Sequence, residues 1–249
     1  MSTREWDGTS YDRISTTMEA FGLDVLDRLE LRGDELVLDA GCGSGRVTQA
    51  LIERLPRGHA IGFDQSASMI EAARARLGAG ADLRVGDLLA LELERPVDAI
   101  FSTATFHWIG DHERLFARLH AALRPGGRLV AQCGGEGNID VLRGHARTVM
   151  AREPFAARFA DFRPPWNYAA PAITEQRLRA AGFAEADCSL MPAPRQPPEP
   201  REFLATIVLG PHVQHLPAEL REPFMDEVLA LCGEPVTVDY VRLNIDAVA

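Results

Sequence analysis

The stretch LVLDAGCGSGR at residues 36–46 decides the fold, because it runs from an apolar strand through a glycine-rich loop into a helix. Gly41, Gly43 and Gly45 occupy every second position of that loop. Glycine tolerates positive φ angles and lets the backbone approach a ligand without a Cβ in the way. The helix behind the loop presents free N–H groups at its N-terminus. The stretch therefore predicts a ligand-binding turn in an α/β domain.

The spacing of this loop differs from that of a dinucleotide-binding loop. Its glycines follow the pattern GxGxG rather than GxGxxG, and Asp39 stands two residues before the first of them. A pyrophosphate binds to uncompensated N–H donors at a helix N-terminus, so a carboxylate at the strand end suits it poorly. Asp39 instead favours a ligand with a cationic amino-acid portion, which argues against an NAD-dependent oxidoreductase.

Two further aspartates follow predicted strands. Asp64 ends the segment HAIGFD, where an acidic side chain can accept hydrogen bonds from both hydroxyls of a ribose. Asp87 follows the next strand and can accept a hydrogen bond from the amino group of an adenine. Open α/β sheets bind ligands outside the carboxyl ends of their strands. Together with Asp39, these residues therefore predict a nucleoside-containing ligand.

The first half of the chain alternates strand-like and helix-like segments, which predicts βαβ units and a parallel sheet. After Cys133 the pattern changes to helical segments, proline-containing loops and late strands. Short apolar runs bounded by turn residues predict strands at residues 35–40, 59–64, 82–85, 97–102, 127–132, 186–190 and 236–248. Apolar residues at helical spacing predict helices at residues 14–31, 45–55, 66–77, 111–123, 138–155, 174–181, 201–209 and 218–231.

Charge and composition exclude several classes of function. The net charge of −10 over 249 residues disfavours a nucleic-acid partner, because phosphate binding needs a basic surface. No apolar run reaches the roughly 18 residues that span a bilayer, and the first residues lack the apolar core of a signal peptide. The four cysteines lack the spacing of a zinc site, so we expect neither a metal nor a disulfide. We expect a cytoplasmic protein with no membrane partner.

These motifs resemble those of the class I S-adenosylmethionine (SAM)-dependent methyltransferases over roughly residues 6–133. LDAGCGSG is similar to the first motif of that family, GFDQSASMI to the second and GDLL to the third. DAIFSTATFHWI resembles the fourth strand and its loop, and LRPGGRLV resembles the turn into the fifth strand. Within the class, ATFHW and the early WDGTSYDRIS are most similar to small-molecule carboxyl methyltransferases related to trans-aconitate 2-methyltransferase.

The resemblance implies one methyltransferase domain with a Rossmann-like sheet of seven strands. The sheet is mostly parallel with an antiparallel last strand, has helices on both faces, and carries an added helical lid after the fifth strand. SAM is the implied cofactor and S-adenosylhomocysteine the product. The implied parts are an N-terminal segment that covers the cofactor (1–34), the SAM-binding core (35–137), two lid or substrate-specificity insertions (138–170 and 193–233) and a terminal strand (235–249).

The resemblance also assigns cofactor contacts. The glycines form the backbone floor, Asp64 holds the ribose and Asp87 the adenine amino group. Thr103 stands where related enzymes often have asparagine, which changes the hydrogen bonding available to the methionine part of SAM. The full predicted set of cofactor contacts is Tyr11, Asp39, Gly41, Gly43, Gly45, Asp64, Gln65, Met69, Asp87, Leu88, Thr103 and Trp108.

The methyl acceptor is predicted less directly. A carboxylate is already ionised and needs no base, whereas a phenol, an alcohol or a protonated amine must lose a proton. His107, just beyond the fourth strand, is the candidate for a general base or a substrate contact. Arginines after the fifth strand can bind a substrate carboxylate bidentately, and aromatic residues there can line a lid. The candidate substrate residues are His107, Arg143, Arg147, Trp166 and Tyr168.

The favoured prediction is methyl transfer to an oxygen of a small molecule, by a monomer or a homodimer. An N- or C-methyltransferase of a small metabolite is an alternative, and so is a sensor or scaffold that binds SAM without catalysis. A nucleic-acid methyltransferase is disfavoured by the charge. It is also disfavoured because residues 102–105 read STAT where such enzymes carry an Asn-Pro-Pro-Tyr type of segment.

Overall fold

The computed structural model describes the backbone of residues 16–249 and the side chains of residues 20–249. The predicted cofactor contact Tyr11 lies outside the described residues. Seven strands form one sheet: β1 (Leu36–Ala40), β2 (His59–Asp64), β3 (Ala81–Val85), β4 (Val97–Thr103), β5 (Leu123–Gly134), β6 (Glu185–Pro192) and β7 (Val241–Val248). Within residues 16–249, no helix is both long enough and apolar enough to cross a membrane.

The strands are arranged in the order β3-β2-β1-β4-β5-β7-β6. Strands β1 to β5 pair in parallel, and β7 lies antiparallel between β5 and β6. This arrangement confirms the predicted Rossmann-like sheet of seven strands with an antiparallel last strand. The order reverses beside β1, between the carboxyl ends of β1 and β4, where open α/β sheets bind ligands.

Ten helices are described: α1 (Thr16–Arg28), α2 (Arg46–Glu53), α3 (Ala67–Leu77), α4 (His112–Ala122), α5 (Asp140–Met150), α6 (Ala156–Phe159), α7 (Pro171–Ala180), α8 (Pro200–Phe203), α9 (Gly210–His215) and α10 (Ala218–Cys232). Helices α1 and α2 pack with the apolar side chains of β1, β4 and β5. Helices α4 and α7 contribute to the core against the opposite side chains of the sheet. Helices α5 and α6, after β5, share a separate aromatic core with the helices between β6 and β7.

Most predicted boundaries differ from the structure by a few residues, and three of the differences have a clear structural basis. The terminal strand begins at Val241 instead of residue 236, because Val238 forms a separate bridge with Arg195 before the β7 ladder starts. Helix α7 begins at Pro171, where proline suits the first turn because that position needs no N–H donor. The helix predicted at 201–209 is interrupted after Phe203 by a wider helical turn, Leu204–Val208.

Candidate active site

The glycine loop after β1 has the backbone conformation that its sequence predicts. Gly41, Gly43 and Gly45 have φ angles of 88°, 53° and 80°, in the left-handed region that favours glycine. A Cβ at Gly41 would overlap the side chain of Thr105, whereas a Cβ at Gly43 would meet no protein atom within 4 Å. The loop therefore packs against the segment after β4 at Gly41 and leaves open space at Gly43.

Asp64 joins this loop to the end of β2. Its Oδ2 accepts a hydrogen bond from the N–H of Gly43 at 3.0 Å, and its Oδ1 accepts one from the N–H of Ser66 at 2.9 Å. Burial raises the pKa of this carboxyl, against the lowering effect of those N–H donors. A carboxylate has about four acceptor positions, so these donors leave acceptor capacity for a ligand.

A pocket opens at the carboxyl ends of the strands beside this loop, and we call it the cofactor pocket. It includes nine of the twelve predicted cofactor contacts. Its lining consists of Gly41, Gly43, Asp64, Gln65, Met69, Gly86, Asp87, Leu88, Thr103, Ala104, Thr105, Trp108 and Ile109. Gly86, Ala104, Thr105 and Ile109 are the members that the sequence reasoning missed. They lie next to predicted residues in the chain, so extending each motif by one or two positions could have found them.

Asp39 and Gly45, two of the predicted cofactor contacts, do not line the cofactor pocket. Asp39 is 2% exposed, and its Oδ2 accepts a hydrogen bond from the Thr48 hydroxyl at 2.7 Å. Burial raises its pKa to about 7. Gly45 is the N-cap of α2, and a Cβ there would meet Leu77 of α3. Asp39 lies behind the loop because the central strand β1 is buried along its whole length.

Asp87 is exposed at the end of β3, where its Oδ1 accepts a hydrogen bond from the N–H of Leu89 at 2.9 Å. That bond fixes the carboxylate at the rim of the pocket. Gln65 is also exposed at the rim, while Met69 and Leu88 are buried beneath it. The rim is therefore polar and acidic, and the floor is apolar.

These features fit SAM, which carries a cationic sulfonium, a ribose and an adenine. Two acidic side chains, Asp64 and Asp87, stand at the ends of neighbouring strands, where hydroxyl and amino groups need acceptors. Met69 and Leu88 offer an apolar surface for a flat base. The space in front of Gly43, which a Cβ would enter, lets the ligand approach the backbone.

A second pocket adjoins the first, and we call it the acceptor pocket. Ala104 and Trp108 line both pockets. The lining of the acceptor pocket consists of Ala104, His107, Trp108, Asn138, Ile139, Trp166, Tyr168, Ile207, Val208, Tyr240 and Arg242. Its volume of about 40 Å³ is smaller than the roughly 130 Å³ of the cofactor pocket.

The structure brings together three of the five predicted substrate residues. His107, Trp166 and Tyr168 line the acceptor pocket, with the rings of Trp166 and Tyr168 stacked at 5.7 Å. Arg143 lies just outside the lining, with its guanidinium 5.7 Å from the centre of the Tyr168 ring and 2.9 Å from Asp140.

Arg147 is exposed and lies outside the acceptor pocket, so its prediction as a substrate contact is not supported by the structure. It stands one helical turn beyond Arg143 on α5. A turn of helix rises about 5.4 Å, which carries the Arg147 side chain away from the pocket wall.

The sequence reasoning missed seven residues of the acceptor pocket, and Arg242, near the start of β7, is the charged one among them. The other six are Ala104, Asn138, Ile139, Ile207, Val208 and Tyr240. Arg242 is 2% exposed, and its Nε donates a hydrogen bond to Oε1 of Gln132 at 3.3 Å. Its guanidinium carbon lies 5.1 Å from the centre of the Phe21 ring and 5.8 Å from that of Tyr240. A buried arginine held between aromatic rings gives this pocket a positive wall.

His107 lines the acceptor pocket and is 7% exposed. Its Nδ1 accepts a hydrogen bond from the backbone N–H of Gly134, the last residue of β5, at 3.3 Å. Its ring centre lies 5.1 Å from that of Trp108 and 5.7 Å from that of Tyr168. The ring is therefore fixed by a backbone donor and by two aromatic neighbours.

The backbone is strained where the two pockets meet. Ala104 has a φ of 54° and Ile139 a φ of 53°, a region in which side chains beyond glycine are uncommon. Ala104 lines both pockets, and Ile139 lines the acceptor pocket. Such strain persists only where the surrounding structure holds it, and it is concentrated at functional sites.

Comparisons with known proteins agree with this geometry. A family model described as a methyltransferase domain matches residues 37–127. A trans-aconitate 2-methyltransferase of Methylobacterium nodulans is 33% identical over 193 residues, which cover 76% of this chain and 68% of that protein. A protein of the same name from Azoarcus is 37% identical, but the match covers about half of each chain (51% and 50%).

Solved structures share the fold at lower sequence identity. Phosphoethanolamine N-methyltransferase 2 of Haemonchus contortus, solved in complex with SAM, has a TM-score of 0.63 at 18% identity and covers 97% of this chain. This chain covers 56% of that one. The YcgJ protein of Bacillus subtilis has a TM-score of 0.61 at 18% identity, with 92% of this chain and 97% of that one covered.

The sheet order, the glycine loop with its acidic strand ends, and a relative of 33% identity over two thirds of its length lead to one conclusion. The chain belongs to the class I SAM-dependent methyltransferases.

Proposed function

We propose that this enzyme transfers the methyl group of SAM to a carboxylate oxygen of a small organic acid. The observation that carries the proposal is Arg242, a buried guanidinium in the wall of the acceptor pocket. Arginine binds carboxylates through two parallel N–H donors, and the interaction is strongest where water is excluded. A positive wall next to the cofactor pocket therefore selects an anionic acceptor.

The field of Arg242 reaches across the acceptor pocket. Burial raises the pKa of the Tyr168 hydroxyl, and the positive charges of Arg143 and Arg242 oppose that effect. Tyr168 is the residue that stacks on Trp166 at the same wall. An acceptor lying against these rings therefore feels both cations, and anionic groups are favoured there over neutral ones.

Two segments that the sequence assigns to acceptor specificity supply the remaining wall. Residues 138–170 contribute Asn138, Ile139, Trp166 and Tyr168, and residues 193–233 contribute Ile207 and Val208. Their packing in one aromatic core supports the proposal that they act together as a lid. The pocket they enclose is small, which suits a small molecule rather than a macromolecular acceptor.

SAM supplies the methyl group as an activated sulfonium, so the bond from oxygen to carbon forms as the carbon–sulfur bond breaks and its electron pair goes to sulfur. A carboxylate acceptor is already ionised, so the protein has no proton to remove. The residues of this chain have to bind the acceptor, align its oxygen and exclude water. We propose that Arg242 binds the acceptor. The rings of Trp108, Trp166 and Tyr168 enclose it and exclude water.

The names of the relatives support the same class of acceptor. Trans-aconitate, in the name of the Methylobacterium nodulans protein, is a carboxylic acid.

A panel of acceptors with SAM carrying a labelled methyl group tests the proposal. It pairs small mono-, di- and tricarboxylic acids with the corresponding amides and alcohols, and adds phenols and amines. We expect labelled product from acids alone, and the label should be released as methanol in mild base, since methyl esters hydrolyse there and methyl ethers and methylamines do not. A base-stable product would contradict the proposal. A protein that binds SAM but labels nothing in the panel would favour the sensor or scaffold.

A further inference from the structure

We infer that His107 acts as a hydrogen-bond donor to the acceptor through its Nε2–H, and not as a general base. The inference builds on the proposed function, because it assigns a second group that holds the same carboxylate. It decides between the two roles that the sequence leaves open for this residue. The geometry around Nδ1 carries the inference.

The direction of the hydrogen bond from Gly134 determines which nitrogen of His107 carries the proton. A backbone N–H can only donate, so the Nδ1 of His107, at 3.3 Å from that nitrogen, must present a lone pair. A neutral imidazole carries its proton on one nitrogen only. The proton of His107 is therefore on Nε2, and that nitrogen has no lone pair left to accept a proton.

The alternative tautomer of His107, with the proton on Nδ1, conflicts with the N–H donor of Gly134. A base acting at Nε2 requires the proton on Nδ1, where it would face the N–H of Gly134 as one donor against another. Gly134 is the last residue of β5 and is held by the ladder with β7, so its N–H cannot turn away. His107 is 7% exposed, and an unmade hydrogen bond at such a buried site is costly. A ring protonated on both nitrogens would also point an N–H at the N–H of Gly134, so that form is disfavoured for the same reason.

The turn that carries the His107 ring is tied to the loop that lines the acceptor pocket. The short helical turn Phe106–Trp108 carries His107, and its carbonyl accepts a hydrogen bond from the N–H of Asn167 at 2.8 Å. This bond ties the turn to the loop that carries Trp166 and Tyr168. With Arg242 on the wall of the same pocket, His107 provides a second N–H donor for the two oxygens of a carboxylate.

The consequence is selectivity for acceptors that are already ionised. A phenol or an alcohol would have to lose its proton, and His107 in this tautomer cannot take it. A carboxylate needs only donors, which His107 and Arg242 supply. His107 thus favours the acceptor class that Arg242 attracts by charge.

Nitrogen-15 NMR of the full-length protein tests the tautomer without any acceptor. Long-range proton–nitrogen correlations distinguish an Nε2–H ring from an Nδ1–H ring, and the spectrum of His107→Gln identifies the signals of His107 among those of the seven histidines. We expect the Nε2–H form at neutral pH. An Nδ1–H ring, or a ring protonated on both nitrogens, would overturn the inference whatever the acceptor proves to be.

Kinetics with an acceptor from the panel test the donor role. Glutamine places an amide N–H near the position of Nε2, so His107→Gln should keep kcat/KM within about tenfold, while His107→Phe should lose about 10- to 100-fold. His120→Gln, a change on α4 outside both pockets, is the control and should match the wild type. A loss in His107→Gln as large as in His107→Phe would overturn the donor role.

The pH profile separates this inference from the proposed function. We expect the pH profile of kcat/KM to show no ionisation that depends on His107, so the wild type and His107→Gln should have the same profile in the range where histidine titrates. A loss of kcat/KM toward acidic pH that is present in the wild type and absent in His107→Gln would overturn the inference. If the NMR result holds while the product is base-stable, the carboxylate proposal fails and the tautomer stands.

Discussion

The backbone N–H of Gly43 donates a hydrogen bond to Oδ2 of Asp64 at 3.0 Å, which joins the glycine loop after β1 to the end of β2. The second oxygen of Asp64 holds the N–H of Ser66, and the Ser66 hydroxyl in turn accepts from the N–H of Met69 at the start of α3. One carboxylate therefore fixes the loop and the first turn of α3, and it still faces the cofactor pocket. Loss of Asp64 should affect cofactor binding both directly and through the loop.

Asp64→Ala should weaken SAM binding by about 1–3 kcal/mol, because hydrogen bonds to a charged acceptor are lost. Calorimetric titration with SAM and with S-adenosylhomocysteine measures the change. Asp82→Ala is the matched control, since Asp82 lies on β3 away from the cofactor pocket and pairs with Arg84 at 2.6 Å. Unchanged SAM affinity in a folded Asp64→Ala protein would contradict the assignment of Asp64 to the ribose.

Gly43→Ala should fold and yet bind SAM poorly, because its Cβ meets no protein atom within 4 Å and enters the space proposed for the ligand. Gly126→Ala is the control: its φ of 74° is also positive, its Cβ also has open space, and it lies in β5 outside both pockets. Both changes should cost about 1–2 kcal/mol of folding free energy through backbone strain. Urea unfolding and SAM titration of both variants measure the two effects, and equal SAM affinity in both would contradict the proposed position of the ligand.

The cofactor pocket could be predicted from the sequence because its residues follow strands. Asp64 ends β2 and Asp87 follows β3 by two residues, and in a parallel sheet those ends meet at one edge. Local patterns of apolar residues and glycines thus specify the site. Asp39 shows the limit of this reasoning, since a strand end on a fully buried strand faces the interior.

The acceptor pocket could not be predicted in the same way, because its wall is assembled from distant parts of the chain. Arg242 reaches it only because β7 inserts between β5 and β6, an arrangement that no local pattern around Arg242 reveals. Ile207 and Val208 come from a wider helical turn inside a segment that reads as regular helix. Arg143 and Arg147 look equivalent in sequence and differ only in their height along α5.

Asp39→Asn should reduce the pH dependence of stability. Burial raises the pKa of Asp39 from 3.8 to about 7, so the folded state binds this proton more tightly than the unfolded chain does. The protonated Asp39 carboxyl therefore stabilises the folded state, and this contribution is fully present below the pKa of the unfolded chain, 3.8. It is lost as the pH rises through the folded-state pKa of about 7, and its total is about 4 kcal/mol at most. Asparagine cannot ionise, and its oxygen can still accept from the Thr48 hydroxyl.

Urea unfolding at about pH 5 and about pH 8 measures this effect. The wild type should lose stability between the two values, and Asp39→Asn should lose less of it. Some dependence should remain, because burial also raises the pKa of Asp64. Asp161→Asn, at an exposed position, should behave as the wild type does. An Asp39→Asn protein with the full pH dependence would show that this carboxyl is not its source.

Arg242→Gln should lower kcat/KM for a carboxylic acid by about 10- to 100-fold, because a charge-assisted hydrogen bond to the acceptor is lost. SAM affinity should stay near that of the wild type, since Arg242 lines the acceptor pocket and not the cofactor pocket. The kcat/KM of Arg242→Lys should lie between those of the wild type and Arg242→Gln, because lysine keeps the charge and lacks the planar guanidinium. The measurements are initial rates with the acid found in the panel and titration with SAM.

Arg147→Gln is the matched control for Arg242→Gln, because it removes the same charge from the exposed side of α5. It should leave the rate unchanged, which also tests whether the structure is right to exclude Arg147 from the pocket. Arg242 packs on Phe21 and bonds to Gln132, so thermal unfolding of each variant has to accompany the kinetics. A folded Arg242→Gln enzyme that methylates the acid at the wild-type rate would show that another group holds the carboxylate.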